Sequence, residues 1–187
     1  MLADIFRRLV DVLDACGIPY MLTGSFASSY YGAPRGTQDI DVVITATPDQ
    51  LRALVAQFPR DTYYVDEAAA LASFDENGQF NVIDMTSGWK IDFIIRKRRP
   101  FSEEEFRRRG PGDVAGVPIA IATPEDVLIA RLEGARLEDS RRQIEDAGGI
   151  LRVRASDLDR IYLEHWIERL GLEAQWEAAR KAAELSA

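Results

Sequence analysis

The sequence holds one cysteine, Cys16, and one histidine, His165. A lone cysteine excludes an internal disulfide framework and any zinc site built from clustered thiolates. A mechanism needing a Ser–His or Cys–His pair would have to use His165. No stretch reaches the roughly 18 uncharged apolar residues of a membrane span. The opening Met-Leu-Ala-Asp-Ile-Phe-Arg-Arg sets charges where a signal peptide needs an unbroken apolar run. The expectation is a cytoplasmic protein with no membrane partner. Positive charge is scarce too: 23 Lys and Arg face 31 Asp and Glu, for a net charge of −8. That balance argues against duplex DNA as a partner held by bulk electrostatics. Repeats and low-complexity linkers are absent.

What remains is an ordinary globular composition, 47% hydrophobic and 29% charged over 187 residues. A chain of this size buries most of its apolar surface without disulfide or metal. Residues 3–15 place Ile5, Phe6, Leu9, Val10, Val12 and Leu13 at helical spacing, stopped by Gly17 and Pro19. Tyr20–Thr23 reads as a short buried strand, Gly24-Ser25 as a break, and Phe26–Tyr31 as a short helix. Asp39–Ile44 is a β-branched strand. Thr47-Pro48-Asp49-Gln50 is a strong helix start, with a cap, a proline at the first helical position and a glutamine at the third. Further strands are expected at Thr62–Val65, Phe80–Met85, Ile91–Ile95 and Val117–Ala122, with Thr86-Ser87-Gly88 as a tight hairpin turn. From Thr123-Pro124-Glu125-Asp126 onward the pattern is helical, with Ser156 expected to cap a further helix. The reading is an α/β part, residues 1–123, followed by a helical part, residues 124–187.

Three features carry chemistry. Gly24-Ser25 follows a strand and opens a helix, where small residues let backbone N–H groups approach a phosphate; by itself such a pair is compatible with a plain turn. Asp39-Ile40-Asp41 sits in a strand, so both carboxylates share a face while Ile40 and Val42 point into the core. On an edge strand such a pair would serve only to discourage aggregation, but Val42-Val43-Ile44 is apolar on both faces and favours a central strand. Two carboxylates this close repel unless a cation lies between them, and hard divalent ions take oxygen ligands. Asp92 opens another strand, with Ile91, Phe93 and Ile95 on its other face. If that strand adjoins the one carrying Asp39, three carboxylates converge, the arrangement that holds metal ions for phosphoryl and nucleotidyl transfer. Asp84 is the rival third carboxylate, but Phe80 and Val82 on its face point to a buried or turn-facing role.

This pattern resembles the nucleotidyltransferase superfamily related to DNA polymerase beta. Arg35-Gly36-Thr37-Gln38-Asp39-Ile40-Asp41 is similar to the Arg-x-Thr-x-Asp-Ile-Asp stretch of its small stand-alone prokaryotic members, some of them toxins of type IV toxin–antitoxin pairs. Thr123–Ala130 and Gln143-Ile144-Glu145-Asp146 resemble the helical tail of that group. The resemblance implies a mixed β-sheet flanked by helices, an α/β (α+β) fold with a C-terminal helical segment. It implies a nucleoside triphosphate, with ATP expected, bound with Mg²⁺ or Mn²⁺. Gly24 and Ser25 match the phosphate-holding turn, Asp39 and Asp41 the metal-bridging pair, and Asp92 the third carboxylate, which binds metal and helps activate the attacking hydroxyl. Arg35 is a candidate for steering phosphates and equally for a plain loop arginine. The implied reaction transfers a nucleoside monophosphate to a hydroxyl of an RNA end, a protein or a small molecule, and releases pyrophosphate. The alternative is a catalytically inactive nucleotide- or RNA-binding member, or the partner of an antitoxin-like protein.

The remaining polar residues read more simply. Seven basic side chains between Arg96 and Arg109, against Glu103, Glu104 and Glu105, fit a solvated helix face with internal ion pairs better than a rim guiding RNA. Thr37 is expected to serve its loop. His165, near a stripe of Leu158, Ile161, Tyr162 and Trp166, reads as a helix-packing or edge residue rather than a catalyst, and Tyr30 and Tyr31 read as packing around a short helix rather than stacking on a base.

Overall fold

The computed structural model describes residues 2–32, 34, 36–138 and 140–184. In chain order the elements are α1 (Leu2–Ala15), β1 (Tyr20–Thr23), α2 (Gly24–Tyr31), β2 (Asp39–Ile44), α3 (Pro48–Ala56), β3 (Tyr63–Val65), α4 (Glu67–Glu76), β4 (Gln79–Asp84), β5 (Lys90–Ile95), α5 (Pro100–Arg108), β6 (Gly110–Val114), β7 (Val117–Ile121), α6 (Pro124–Glu138), α7 (Arg141–Arg154), α8 (Arg160–Leu170) and α9 (Glu173–Glu184). They fall into two compact units. One comprises residues 1–23 and 37–121; the other comprises residues 24–36 and 122–187.

The first unit contains the whole sheet, ordered β3-β4-β5-β2-β1-β7-β6. β2 runs parallel to β5 and β1 parallel to β7, while the other neighbours are antiparallel, so the sheet is mixed as expected. β2 lies at its centre because one face of the strand, Ile40, Val42 and Ile44, has no exposed surface at all. β5 buries Ile91, Phe93 and Ile95 on that same side. Phe93 stacks on Phe80 of β4 at 5.2 Å and meets Phe58, just beyond α3, at 6.4 Å. Each such side chain contributes about 1.5–3 kcal/mol by leaving water. The amphipathic face of α1, with Phe6, Leu9, Val12 and Leu13, is buried as its periodicity predicts.

The cap of α3 is complete. The Gln50 amide donates to Thr47 Oγ1 at 3.3 Å, and the Thr47 amide donates to Gln50 Oε1 at 3.0 Å, a pairing that contributes about 1 kcal/mol. The turn between β4 and β5 closes through the Gly88 amide on Asp84 O at 2.8 Å, with Gly88 in the left-handed region at φ +74°. The basic residues of 96–109 pair locally: Arg96 with Glu103 at 3.6 Å, Arg107 with Glu104 at 2.5 Å, and Arg99 with the Ser102 hydroxyl at 2.9 Å.

Helices form the second unit, and α2 belongs to it although it lies far from the tail in sequence. Thr123 caps α6, accepting the Asp126 amide at 3.3 Å. Two expectations for this unit are corrected. Ser156 caps no helix; its hydroxyl donates to Asp157 at 2.8 Å, and Asp159 caps α8 by accepting the Tyr162 amide at 3.0 Å. Asp159 wins because its amide is itself fixed by Glu125 Oε1 at 2.9 Å. Ile161 is 82% exposed rather than part of the apolar stripe, since α8 turns Leu163, Trp166 and Ile167 inward instead.

Candidate active site

The pleat of the sheet decides which side chains meet. In β2 the face opposite Ile40 and Val42 carries Asp39 and Asp41; in β5 the face opposite Ile91 and Phe93 carries Lys90 and Asp92. The parallel register places Asp39 beside Lys90 and Asp41 beside Asp92. β1 adds Thr23 beside Asp41, and β4 adds Asn81 beside Asp92. The outcome is a polar row, Thr23–Asp41–Asp92–Asn81, crossing four adjacent strands on one face. Asp39 and Lys90 stand one step along the same face.

Within this group the burial differs sharply. The Asp39 side chain is 57% exposed, Lys90 is 34% exposed and Asp92 only 8%. The Lys90 ammonium lies 2.8 Å from Asp92 Oδ2 and 3.6 Å from Asp39 Oδ1. Its hydrogen bond to Asp92 holds it above the ordinary lysine range, against partial burial that pulls the other way, and the charges of Asp92 and Asp39 add to the rise. The second oxygen, Asp92 Oδ1, is buried with no hydrogen-bond partner among the described residues.

Among the described residues no group of three or more His, Cys, Asp or Glu is gathered closely enough to hold a metal ion. The strands therefore bring the three aspartates to one face, while an ammonium occupies the space between two of them. The donor set still suits a divalent cation. All its ligands are hard oxygens, and the bare Asp92 Oδ1 is a buried acceptor whose isolation costs about 1–3 kcal/mol until something positive meets it.

Asp84 lies elsewhere. Burial acts to raise its pKa, but the Ser87 hydroxyl at 2.7 Å and the Thr86 and Ser87 amides at 2.8 and 3.2 Å prevail and hold it low. It fastens the hairpin. A cavity of about 230 Å³ in this unit is walled by Phe58, Val82, Asp84 and Ile91, on the face turned away from Asp92. Thr37 accepts the Asp39 amide at 3.1 Å, serving the loop.

In the second unit, α2 begins at Gly24, whose φ of +64° is left-handed. The Ser28 hydroxyl donates to Gly24 O at 3.0 Å and accepts from Arg131 Nε at 2.7 Å. Arg131 also donates to Gln143 Oε1 at 2.7 Å and lies 3.7 Å from Asp146. The turn that opens α2 is thus tied to α6 and α7. Ser25 is half-buried in the first turn. Arg35 lies outside the described residues. Tyr30 and Tyr31 meet edge to face at 4.9 Å; burial pushes the Tyr31 phenol up to about 12. His165 is exposed and meets Trp166 edge-on at 5.1 Å.

Sequence reasoning passed over Lys90 and Arg131. Lys90 was legible, since it precedes Asp92 by two residues and so shares its face. Arg131 gave no sign, because its partners lie on helices distant in sequence.

The architecture is a nucleotidyltransferase-like fold. A nucleotidyltransferase-like antigenic protein from Paracoccidioides brasiliensis superposes with a TM-score of 0.57 at 17% identity, over 93% of this chain and 89% of that one. The antibiotic-resistance factor ANT(2'')-Ia superposes with a TM-score of 0.52 at 13% identity, over 97% and 96%. In its complex with adenylyl-2''-tobramycin the same factor gives 0.50 at 13% identity, over 98% of each chain. No protein-family model matches the chain, and no curated protein matches it by sequence.

Proposed function

We propose that the protein is a nucleotidyltransferase dependent on a divalent cation, Mg²⁺ or Mn²⁺, with ATP as its nucleotide. The observation that carries this is the in-register pair Asp41 and Asp92, with Asp39 on the same face and a bare buried oxygen on Asp92, in a fold shared with nucleotidyltransferases. A bound cation would neutralise the triphosphate and polarise its α-phosphorus. Asp39 and Asp41 would hold that cation, and Asp92 would complete its ligands. In the transfer, an acceptor hydroxyl oxygen bonds to the α-phosphorus, the bond from that phosphorus to the bridging oxygen breaks, and pyrophosphate leaves. The hydroxyl proton passes to the Asp92 carboxylate. Gly24 and Ser25 are assigned the β- and γ-phosphates, and Arg35 a steering role.

The acceptor is a hydroxyl on an RNA end, a protein or a small molecule. The structure of ANT(2'')-Ia in complex with adenylyl-2''-tobramycin makes small hydroxyl-bearing molecules the first acceptors to try. The test is incubation with α-labelled nucleoside triphosphates, Mg²⁺ and separate pools of small molecules, RNA and protein, following label and pyrophosphate. Asp39→Asn and Asp41→Asn should each abolish transfer while the circular dichroism spectrum stays unchanged. Wild-type turnover by either variant at saturating Mg²⁺ and ATP would overturn the assignment.

The ammonium between Asp39 and Asp92 supports a second reading, a non-catalytic nucleotide- or RNA-binding protein or the partner of an antitoxin-like chain. Calorimetric ATP binding with no pyrophosphate release against any acceptor pool would favour it.

A further inference from the structure

The geometry points to Lys90 as a resident counter-cation: we propose that its ammonium holds the acid row together in the metal-free protein and that a divalent ion must displace it from Asp92 to load. This rests on the metal-dependent reading above.

Three observations carry it. First, Asp41 and Asp92 occupy register-paired positions on adjacent strands, where backbones lie about 4.8 Å apart, and Asp39 adds a third negative charge on the same face. Without metal these carboxylates repel, and a cation beside them relieves that repulsion. Second, Lys90 is the residue the register pairs with Asp39, and it reaches Asp92 Oδ2 at 2.8 Å and Asp39 Oδ1 at 3.6 Å. It spans the gap a shared metal ion would span. Third, the ammonium satisfies only one Asp92 oxygen; Oδ1 is buried and meets no donor among the described residues. The carboxylate is thus half-neutralised and retains an acceptor for an incoming ion.

Ammonium and divalent ion compete for the same atoms, Asp92 Oδ2 and Asp39 Oδ1, which the ammonium already meets at 2.8 and 3.6 Å. Lysine suits a displaceable role. Its charge is compact, its stem is flexible and it makes no bidentate fork with a carboxylate. With 34% of its side chain exposed, it has solvent to swing into. The device would keep the protein folded when metal is scarce and make loading a competition.

The test is Mn²⁺ binding to the full chain without nucleotide, followed by electron paramagnetic resonance. Lys90→Gln should bind Mn²⁺ about tenfold more tightly than wild type, the scale of a charge-assisted hydrogen bond removed. Lys97→Gln removes the same charge from an exposed position and should change affinity less than about twofold, because solvent screens it. Should the Gln variant fail to fold, Lys90→Arg reports instead: its fork grips carboxylates better and should weaken Mn²⁺ binding. A crystal structure with Mn²⁺ should show the Lys90 ammonium beyond about 4 Å from Asp92, outside ion-pair range. Equal affinities in wild type, Lys90→Gln and Lys90→Arg, or a metal-bound structure with the Lys90–Asp92 pair intact, would overturn the inference and leave the proposed function standing. Mn²⁺ binding that is absent from every variant, or indifferent to Asp92→Asn, would remove the metal reading and this inference with it.

Discussion

Replacing Asp92 with asparagine separates a functional carboxylate from a structural one. The substitution keeps the shape and removes the charge. In the wild type, Oδ2 gains an ammonium at 2.8 Å while Oδ1 lies buried with no donor among the described residues. The bare oxygen costs about 1–3 kcal/mol. A pair whose lysine is one-third exposed returns on the order of 1 kcal/mol. The difference is about 0–2 kcal/mol, and the asparagine amide leaves its own buried polar atom in that place, so Asp92→Asn should shift stability by no more than about 2 kcal/mol in either direction. For a chain of this length that is a melting shift of at most about 4–8 °C.

Activity should behave oppositely. Under the proposed function the variant loses the third cation ligand and the proton acceptor together. A loss of about 4 kcal/mol in transition-state stabilisation, within the several kcal/mol that metal-held charge supplies, lowers turnover by about a thousandfold at 1.4 kcal/mol per factor of ten. Scanning calorimetry and initial rates of pyrophosphate release read the two effects separately. A melting temperature lowered by about 10 °C or more would show that Asp92 is a structural residue. Turnover within about tenfold of wild type at saturating Mg²⁺ would show that the row is not the catalytic site.

Three further outcomes are expected. Asp126 is wholly buried and accepts the Tyr162 hydroxyl at 2.6 Å, so Tyr162→Phe should cost about 1.5–3 kcal/mol and lower the melting temperature by about 5 °C; an unchanged melting curve would refute the bond's contribution. Gly24→Ala places a side chain at φ +64°, a strain of about 1–2 kcal/mol, and should raise KM for ATP more than it lowers kcat; unaltered kinetics would dissociate this turn from the nucleotide. Asp146 has its pKa raised, chiefly by burial and against the pull of Arg131, so the folded protein binds that proton more tightly than the unfolded chain, and its stabilising contribution is lost as pH climbs from near 3.8 through the folded value. The melting difference, Asp146→Asn minus wild type, should therefore become more positive from pH 3 to pH 7, whatever its offset; a flat or falling difference in calorimetry would refute the burial argument.

Legibility in the sequence followed the strength of local signals. The period-2 pattern of Asp39–Ile44 and Lys90–Ile95 and the capping chemistry of Thr47 and Thr123 predicted elements that are observed. β6 was invisible because Gly110-Pro111-Gly112 reads as a loop. As an edge strand it tolerates a proline, and Gly112 has no room for more, since a Cβ there would meet Ile121 Cγ2 at 2.8 Å. α4 was missed because its alanines give little amphipathic contrast; it is marked instead by Asp66, which caps it through the Ala68 and Ala69 amides. The membership of α2 in the helical unit depends on Ser28, Arg131 and Gln143 meeting, which no local pattern records.

The convergence of aspartates some fifty positions apart in sequence is enforced from the opposite side of the sheet. Side chains alternate with period two, so sliding β5 by one residue against β2 would exchange its faces completely. Phe93, fully buried and stacked on Phe80, would move to the polar face, and Asp92 would enter the layer of Ile40, Val42 and Phe58 with no cation to meet it. Burying an unpaired carboxylate there costs several kcal/mol, and losing the phenylalanine packing costs about 3–5 kcal/mol more. A slip of two residues would restore the faces but pair Asp41 with Lys90 or Ile94 instead of Asp92, and would break the backbone bonds from the Lys90 amide to Gln38 O at 3.0 Å and from the Arg96 amide to Ile44 O at 2.9 Å. The apolar core and these flanking bonds thus favour one register, and that register places Asp41 beside Asp92. What lies behind the acid row sets its register, while the Lys90 ammonium offsets the repulsion among its carboxylates.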